Sequence, residues 1–330
     1  MLGKKRTIML VSLGLVVMMM IATSAGLGKA RADEPSATLL VSGLEGATGS
    51  TIGPDGALYV TEGAAGRVSR VDSQTGEKTT FASGLPTMVI DFYVGWAIDI
   101  AFLDGTAYVL VTLVGSDLGG NSIVGIYRVD GLDNFTVIAD IGQWSIDNPP
   151  PPTTPYDTPT GVQYAMEPYR GGFLVTDGHH NRVLFVELDG EITQLMRFGN
   201  VVPTGLETYG NKAIVSQAGP VPHLPEAGKV LMFKPMKSDT AEEIASGAPL
   251  LVDVEFGRGH ELYALSQGIW SGNFEGDPAL PNTGAILMVN NDGSLTAIVN
   301  ELNIPTSFEI VGDSAFVVTL GGEIWRIDGF

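Results

Sequence analysis

The chain has 330 residues, of which 44% are hydrophobic and only 17% charged, a balance that excludes a disordered polymer. Lys and Arg number 18 against 37 Asp and Glu, a formal net charge of -19 that repels phosphate backbones and speaks against nucleic-acid binding. There is no cysteine, so disulfides, thiolate metal sites and cysteine nucleophiles are excluded.

Residues 1–32 read as an export signal. Lys4, Lys5 and Arg6 precede an apolar run over 8–21 broken only by Ser12 and Gly14. Ala30-Arg31-Ala32 then supplies a small-x-small cleavage pattern before Asp33. The expected mature protein is therefore residues 33–330, in the periplasm or outside the cell. A retained anchor is the alternative, because the run approaches the length that spans a bilayer. No later stretch is long and apolar enough to do so.

Beyond residue 36 the pattern predicts no amphipathic helix, only short β-branched and aromatic strands between Gly, Asp-Gly and Pro turns. The first unit has a strand starting near Thr48, then 58–62, 68–72 and 78–82. The second starts near Asp99 and continues through 107–111, 125–130 and 136–140. The third starts near Thr160, with 173–177, 183–188 and 192–197. The fourth starts near Thr204, with 213–217 and 230–234. The fifth starts near Asp253, with 262–266, 285–290 and 295–299. The sixth starts near Thr306 and has only 315–319 and 323–328 after it. Four strands recurring every roughly 40–50 residues is the period of a β-propeller blade.

The sixth unit lacks its fourth strand. Thr38-Leu39-Leu40-Val41-Ser42-Gly43-Leu44 matches Thr79-Thr80-Phe81-Ala82-Ser83-Gly84-Leu85, which closes the first unit. The N-terminal strand can therefore complete the last blade and remove an open edge. The expected fold is all-β, a six-bladed β-propeller with four antiparallel strands per blade; a pair of packed sheets is the alternative. Asp55-Gly56, Asp104-Gly105, Asp189-Gly190 and Asp292-Gly293 read as tight turns between strands. The proline run Pro149-Pro150-Pro151-Pro152 reads as a stiff loop between blades two and three.

Gly53-Pro54-Asp55-Gly56-Ala57-Leu58-Tyr59-Val60-Thr61-Glu62 resembles the strand–turn–strand signature of NHL-type propellers. Asp177-Gly178-His179-His180-Asn181-Arg182-Val183 resembles their Asp…Asn-Arg-Val turn. Together with the export signal, Ile98-Asp99-Ile100 and Pro159-Thr160-Gly161, the arrangement resembles the ScyD/ScyE family of secreted bacterial proteins. That resemblance covers nearly the whole mature chain. It implies fold and export, and no settled activity.

Innermost strands begin around a propeller's central channel, which nominates Thr48, Asp99, Thr160, Thr204, Asp253 and Thr306 as residues of its mouth. The ends of the second strands add Glu62, Thr112, Asp177, Gln217, Gln267 and Thr319. These side chains can either meet a ligand or cap strand ends and bond neighbouring blades. Loops over 219–228 and 268–283 and the segment before the proline run add His223, Trp144 and Trp270, aromatic material for a ligand-binding face. The leading expectation is a site for a small organic ligand or an exported protein partner. The alternative is a metal-dependent lactonase or hydrolase of the gluconolactonase-like class, which implies a calcium-type divalent cation. Its carboxylates would be Asp99 and Asp253 with Glu62 or Asp177. The sequence departs from that pattern, with Thr48 in place of a glutamate and no amide at Thr160 or Thr204. His179 and His180 share one turn and match no zincin spacing.

Overall fold

The computed structural model describes residues 35–87, 95–154, 156–274 and 276–330. The expected export signal lies outside them. Six four-stranded antiparallel sheets follow one another along the chain, as the repeats predict. After β1 (Ser36–Val41), the first blade is β2 (Ala47–Ile52), β3 (Leu58–Glu62), β4 (Arg67–Val71) and β5 (Lys78–Ser83). The second is β6 (Trp96–Leu103), β7 (Thr106–Thr112), β8 (Gly125–Gly131) and β9 (Asn134–Asp140). A short helix, α1 (Ile141–Asp147), leads to the third blade. That blade is β10 (Gln163–Tyr169), β11 (Gly172–Asp177), β12 (Arg182–Glu187) and β13 (Ile192–Arg197). The fourth is β14 (Pro203–Tyr209), β15 (Lys212–Gln217), β16 (Lys229–Phe233) and β17 (Glu242–Ser246). The fifth is β18 (Leu251–Phe256), β19 (Leu262–Ser266), β20 (Gly284–Val289) and β21 (Leu295–Leu302). The sixth joins β22 (Pro305–Val311), β23 (Ser314–Thr319) and β24 (Ile324–Asp328) to β1.

The two ends of the chain close the ring. β1 pairs antiparallel with β24, from Ser36 opposite Asp328 to Val41 opposite Ile324. The innermost strands pack in a closed cycle, β2 on β6, β10, β14, β18 and β22 in turn and back to β2. Between blades the sheets bury apolar side chains, such as Tyr59 edge-on to Phe81 and Phe102 at 4.9 and 4.8 Å.

The Asp-Gly pairs are turns for the expected reason. Gly56 and Gly293 sit at φ +78° and +84°, while Asp55 and Asp292 accept the N–H two residues on. The absence of helix does not hold at α1. Asp140 Oδ1 accepts from Gln143 N at 2.7 Å and caps a turn that the local pattern was too short to reveal.

Two other glycines are required by packing rather than by φ. A Cβ on Gly125 would sit 1.9 Å from the Ala139 carbonyl oxygen, and one on Gly228 would sit 1.8 Å from that of Ala248. Both neighbours are backbone atoms and cannot swing away. Gly125→Ala and Gly228→Ala are each expected to lower stability by about 1–3 kcal/mol in denaturant melts. Unchanged midpoints would show that the blade edges give way freely.

Candidate functional site

The six inner strands surround a cavity of about 610 Å³. Its wall carries Thr48 from β2, Asp99 from β6, Glu167 from β10, Glu207 from β14, Asp253 and Glu255 from β18, and Thr306 and Glu309 from β22. Its mouth is formed by Tyr156, Asp157, Tyr164, His179, Asn181, His223, Gln267 and Asp277. Among the described lining residues none is Lys or Arg. Eight of these lining residues are Asp or Glu, so the cavity wall is acidic.

Strand register corrects the alignment of the mouth positions. Ala47, Pro203 and Pro305 lie opposite Glu62, Gln217 and Thr319, so Thr48, Thr204 and Thr306 are equivalent. In the third blade Gln163 lies opposite Asp177, and the equivalent residue is Tyr164, not Thr160. Thr160 precedes its strand and bonds Asp117 through both N–H and hydroxyl, at 3.1 and 2.9 Å. In the second blade Trp96 lies opposite Thr112, which makes Ala97 the equivalent and puts Asp99 two residues further in.

The threonines are blade fasteners as well as lining. Thr48 Oγ1 donates to the Ala97 carbonyl at 3.3 Å, and Thr204 Oγ1 to the Leu251 carbonyl at 2.8 Å. Asp99 and Asp253 behave as a matched pair. Asp99 accepts from Ile100 N at 2.9 Å and from Met166 N of the next blade at 2.7 Å. Asp253 accepts from Val254 N at 2.9 Å and from Phe308 N of the next blade at 3.0 Å. Each carboxylate thus latches one inner strand to the next.

Burial pushes these wall carboxyls up. Asp99 rises from 3.8 to about 7 in spite of its two N–H donors. Glu167, Asp253, Glu255 and Glu309 are likewise raised well above their usual range, chiefly by burial and also by the charge of neighbouring carboxylates, with the Phe308 N–H opposing the rise at Asp253. Glu207 is raised by burial while a hydrogen bond with Glu255 opposes the rise. A low-dielectric cavity disfavours several like charges at once, so protons are retained there.

The set Asp99, Asp253, Glu62 and Asp177 does not assemble. Against its burial, Glu62 is held ionised by Arg67 at 2.9 and 2.6 Å, by the Ser69 hydroxyl and by Glu45 N. Asp177 is fully buried beside Arg182 at 2.8 Å and His180 at 3.1 Å. Both residues are spent on ion pairs within their own blades. No group of three or more His, Asp or Glu among the described residues is arranged to hold a metal ion. Of the four nominated carboxylates only Asp99 and Asp253 line the cavity, so the four do not form one cation site.

Neither nominated tryptophan lines the cavity. Trp144, on α1, covers the Arg182 guanidinium at 4.8 Å. Trp270 stands edge-on to His223 at 5.9 Å and supports that loop from behind. The loops over 219–228 and 268–283 do reach the mouth, through Pro220, Val221, His223, Asp277 and Pro278.

What the sequence reading missed has a visible signal. Tyr164-Ala165-Met166-Glu167, Thr204-Gly205-Leu206-Glu207 and Thr306-Ser307-Phe308-Glu309 are one motif in three blades. Aligning the third blade on Thr160 hid it. His179, which matches no metal-binding spacing in the sequence, reaches the mouth: its Nδ1 lies 3.7 Å from Asp157 Oδ1 and its Nε2 lies 3.3 Å from the Tyr164 hydroxyl. Above all through that histidine, the Asp157 carboxyl is held well below its usual range.

No family model matches the chain, and no curated protein matches it in sequence. Many solved structures share the fold. A gluconolactonase from Xanthomonas campestris superposes with a TM-score of 0.61 at 13% identity, over 91% of each chain. Aldose sugar dehydrogenase from Streptomyces coelicolor, in its PQQ-bound form, gives 0.59 at 14% identity, over 89% of this chain and 98% of that one. Virginiamycin B lyase from Staphylococcus aureus gives 0.54 at 13% identity, over 89% of this chain and 99% of that one. At such identities the likeness establishes the fold, a six-bladed propeller of the kind found among gluconolactonases and virginiamycin B lyases.

Proposed function

We propose that the protein is an exported enzyme that opens a small lactone or related ester inside its channel. The observation that carries this reading is the cavity, walled by all six inner strands and fringed at its mouth by imidazole, phenol and amide groups. A pocket of that size holds a small polyol or a bicyclic ring, and its polar groups converge where such a ring would enter. The gluconolactonase neighbour supports lactone as the substrate class. A histidine-to-alanine form of virginiamycin B lyase is described as catalytically inactive, which supports imidazole as the working group in this architecture. Export rests on residues 1–32, and the resemblance to the ScyD/ScyE family agrees with it.

A second reading, capture of an exported protein partner on the same face, is favoured by one observation. Phe274 and Ile269 on the 268–283 loop are 75% and 57% exposed beside the mouth.

The test is turnover. Purified protein should convert γ- and δ-lactones or p-nitrophenyl esters with saturation kinetics. A non-hydrolysable cyclic ether analogue should stabilise the fold by about 2.7 kcal/mol at a hundred times its Kd. No turnover across the panel, with no thermal shift, would remove the enzyme reading and leave partner capture.

A further inference from the structure

We infer that His179 is the catalytic base of this channel, with Asp157 as its positioning residue; the assignment rests on the lactone-opening reading above. The chain has four histidines, and their surroundings separate them. His180 is buried, with Nδ1 accepting from Arg182 at 2.8 Å and Nε2 against the Thr158 carbonyl at 3.0 Å. His260 is exposed and stands edge-on to Tyr209 at 5.0 Å, away from the cavity. His223 lines the mouth, but its Nδ1 faces the carbonyls of Gly219 at 2.8 Å and Ala218 at 3.3 Å in its own loop. His179 has a carboxylate facing one ring nitrogen and a hydroxyl facing the other, with all three residues lining the cavity.

Each nitrogen then has a defined role. Asp157 faces Nδ1 and favours the tautomer that carries the proton there, which leaves the lone pair on Nε2. The Tyr164 hydroxyl donates to that lone pair and marks the place where a reacting hydroxyl would sit. The Asp157 side chain is 80% exposed, so solvent screens the pair and its influence is modest. The His179 side chain is 20% exposed, which gives it access to the cavity while the turn holds it. That turn is fixed from both sides. Asn181 N donates to the Gly178 carbonyl at 3.1 Å, and Asn181 Oδ1 accepts from Val201 N and Val202 N at 2.7 and 2.9 Å.

The step is a hydrolysis with water as the second reactant. Nε2 takes a proton from water as the water oxygen bonds to the lactone carbonyl carbon. The ring C–O bond then breaks, and the ring oxygen receives the proton from the imidazolium. The product is the open hydroxy acid, and His179 ends as it began.

The experiment measures kcat and KM on a δ-lactone and on p-nitrophenyl acetate. His179→Gln should lower kcat by about 100-fold or more, the usual worth of a general base. In His179→Ala, added free imidazole should restore part of the lost rate, a rescue that a misfolded variant does not show. Asp157→Asn should lower kcat by about 3–10-fold with KM unchanged, and Asp157→Glu should recover most of it, as expected of a group that only orients the base. His260→Gln is the control and should change neither constant. An active enzyme indifferent to His179→Gln, or one silenced instead by His223→Gln, would overturn the assignment while leaving the lactone reading intact. A wild-type protein inert on every lactone and ester would overturn that reading, and the assignment with it.

Discussion

Arg182→Met is expected to destabilise the protein by about 3–5 kcal/mol, the usual result of removing one partner from a buried ion pair. Arg182 is 1% exposed and its guanidinium is fully engaged. Nε donates to Asp177 at 2.8 Å, Nη1 to the Asn148 carbonyl at 2.7 Å, and Nη2 to the Ser145 hydroxyl at 2.9 Å as well as to His180. One side chain therefore ties α1 and the start of the proline run to the third blade. Methionine preserves the apolar stem under Trp144 but leaves the Asp177 carboxylate buried without its guanidinium.

The effect carries its own pH signature. Against the pull of burial, His180 and Arg182 hold the Asp177 carboxyl below 3.8 in the folded protein. A lowered folded value stabilises above the unfolded pKa, and that contribution is lost as pH falls through the folded one. Without Arg182 the burial term prevails and the carboxyl takes up a proton at higher pH. The deficit of the variant should thus be largest near neutrality and shrink towards about pH 4. Urea melts at several pH values would measure it. A deficit under about 1 kcal/mol at neutral pH would show that the network is dispensable. Because α1 and the following loop hang from this node, lactone turnover should fall in the same variant.

The channel wall predicts the opposite trend. Its carboxyls are raised in the folded state, so the folded protein binds more protons than the unfolded chain once pH exceeds about 4. Stability from these groups is full below the unfolded pKa and declines as pH rises through the folded one. Asp99 alone, moved from 3.8 to about 7, costs on the order of 4 kcal/mol when it must ionise, at about 1.4 kcal/mol per pKa unit. The facing groups are Glu167, Glu207, Asp253, Glu255 and Glu309, and none supplies a positive charge. His179 and His223 stand at the mouth.

Unfolding free energy is therefore expected to fall by several kcal/mol between about pH 4.5 and pH 8. Below about pH 4 the ion-paired carboxylates Glu62 and Asp177 reverse the slope, which leaves a mildly acidic optimum. Glu309→Gln should raise stability at about pH 8 and change little at about pH 4.5, because an amide keeps the shape without the charge. Stability that is flat or rising over this interval would mean that the wall is neutralised by something other than protons.

The six-bladed architecture was legible because it depends on local, repeated features. Alternation of apolar and polar residues, Asp-Gly turns and the match between Thr38–Leu44 and Thr79–Leu85 each recur along the chain. Repetition lets a weak signal be read several times. Even the closure of blade six by β1 followed from counting strands.

The site was only partly legible. Asp99, Asp253, Thr48, Thr204 and Thr306 do line the cavity, while Thr160, Trp144 and Trp270 do not. The misalignment at Thr160 has its cause in the inner strands, whereas Trp144 and Trp270 sit on a helix and a loop that turn onto Arg182 and His223. Each inner strand carries a register irregularity near its start, between Ala97 and Asp99 or between Gln163 and Met166, for example. One slipped position turns a side chain from the channel to the sheet. Partnership was hidden for a different reason. Glu62 and Asp177 look like free carboxylates until Arg67 and Arg182, five residues on, fold back across the hairpin onto them.

Composition and periodicity thus determined the fold class, the blade count, the closure and the acidic character of the chain, since each is a property of residues near in sequence. Only the tertiary structure decided that the acids of five blades share one cavity, that Asp157, Tyr164 and His179 meet at its mouth, and that Glu62 and Asp177 are already paired. Those are distances between strands remote in sequence, and the ring must close before any of them exists.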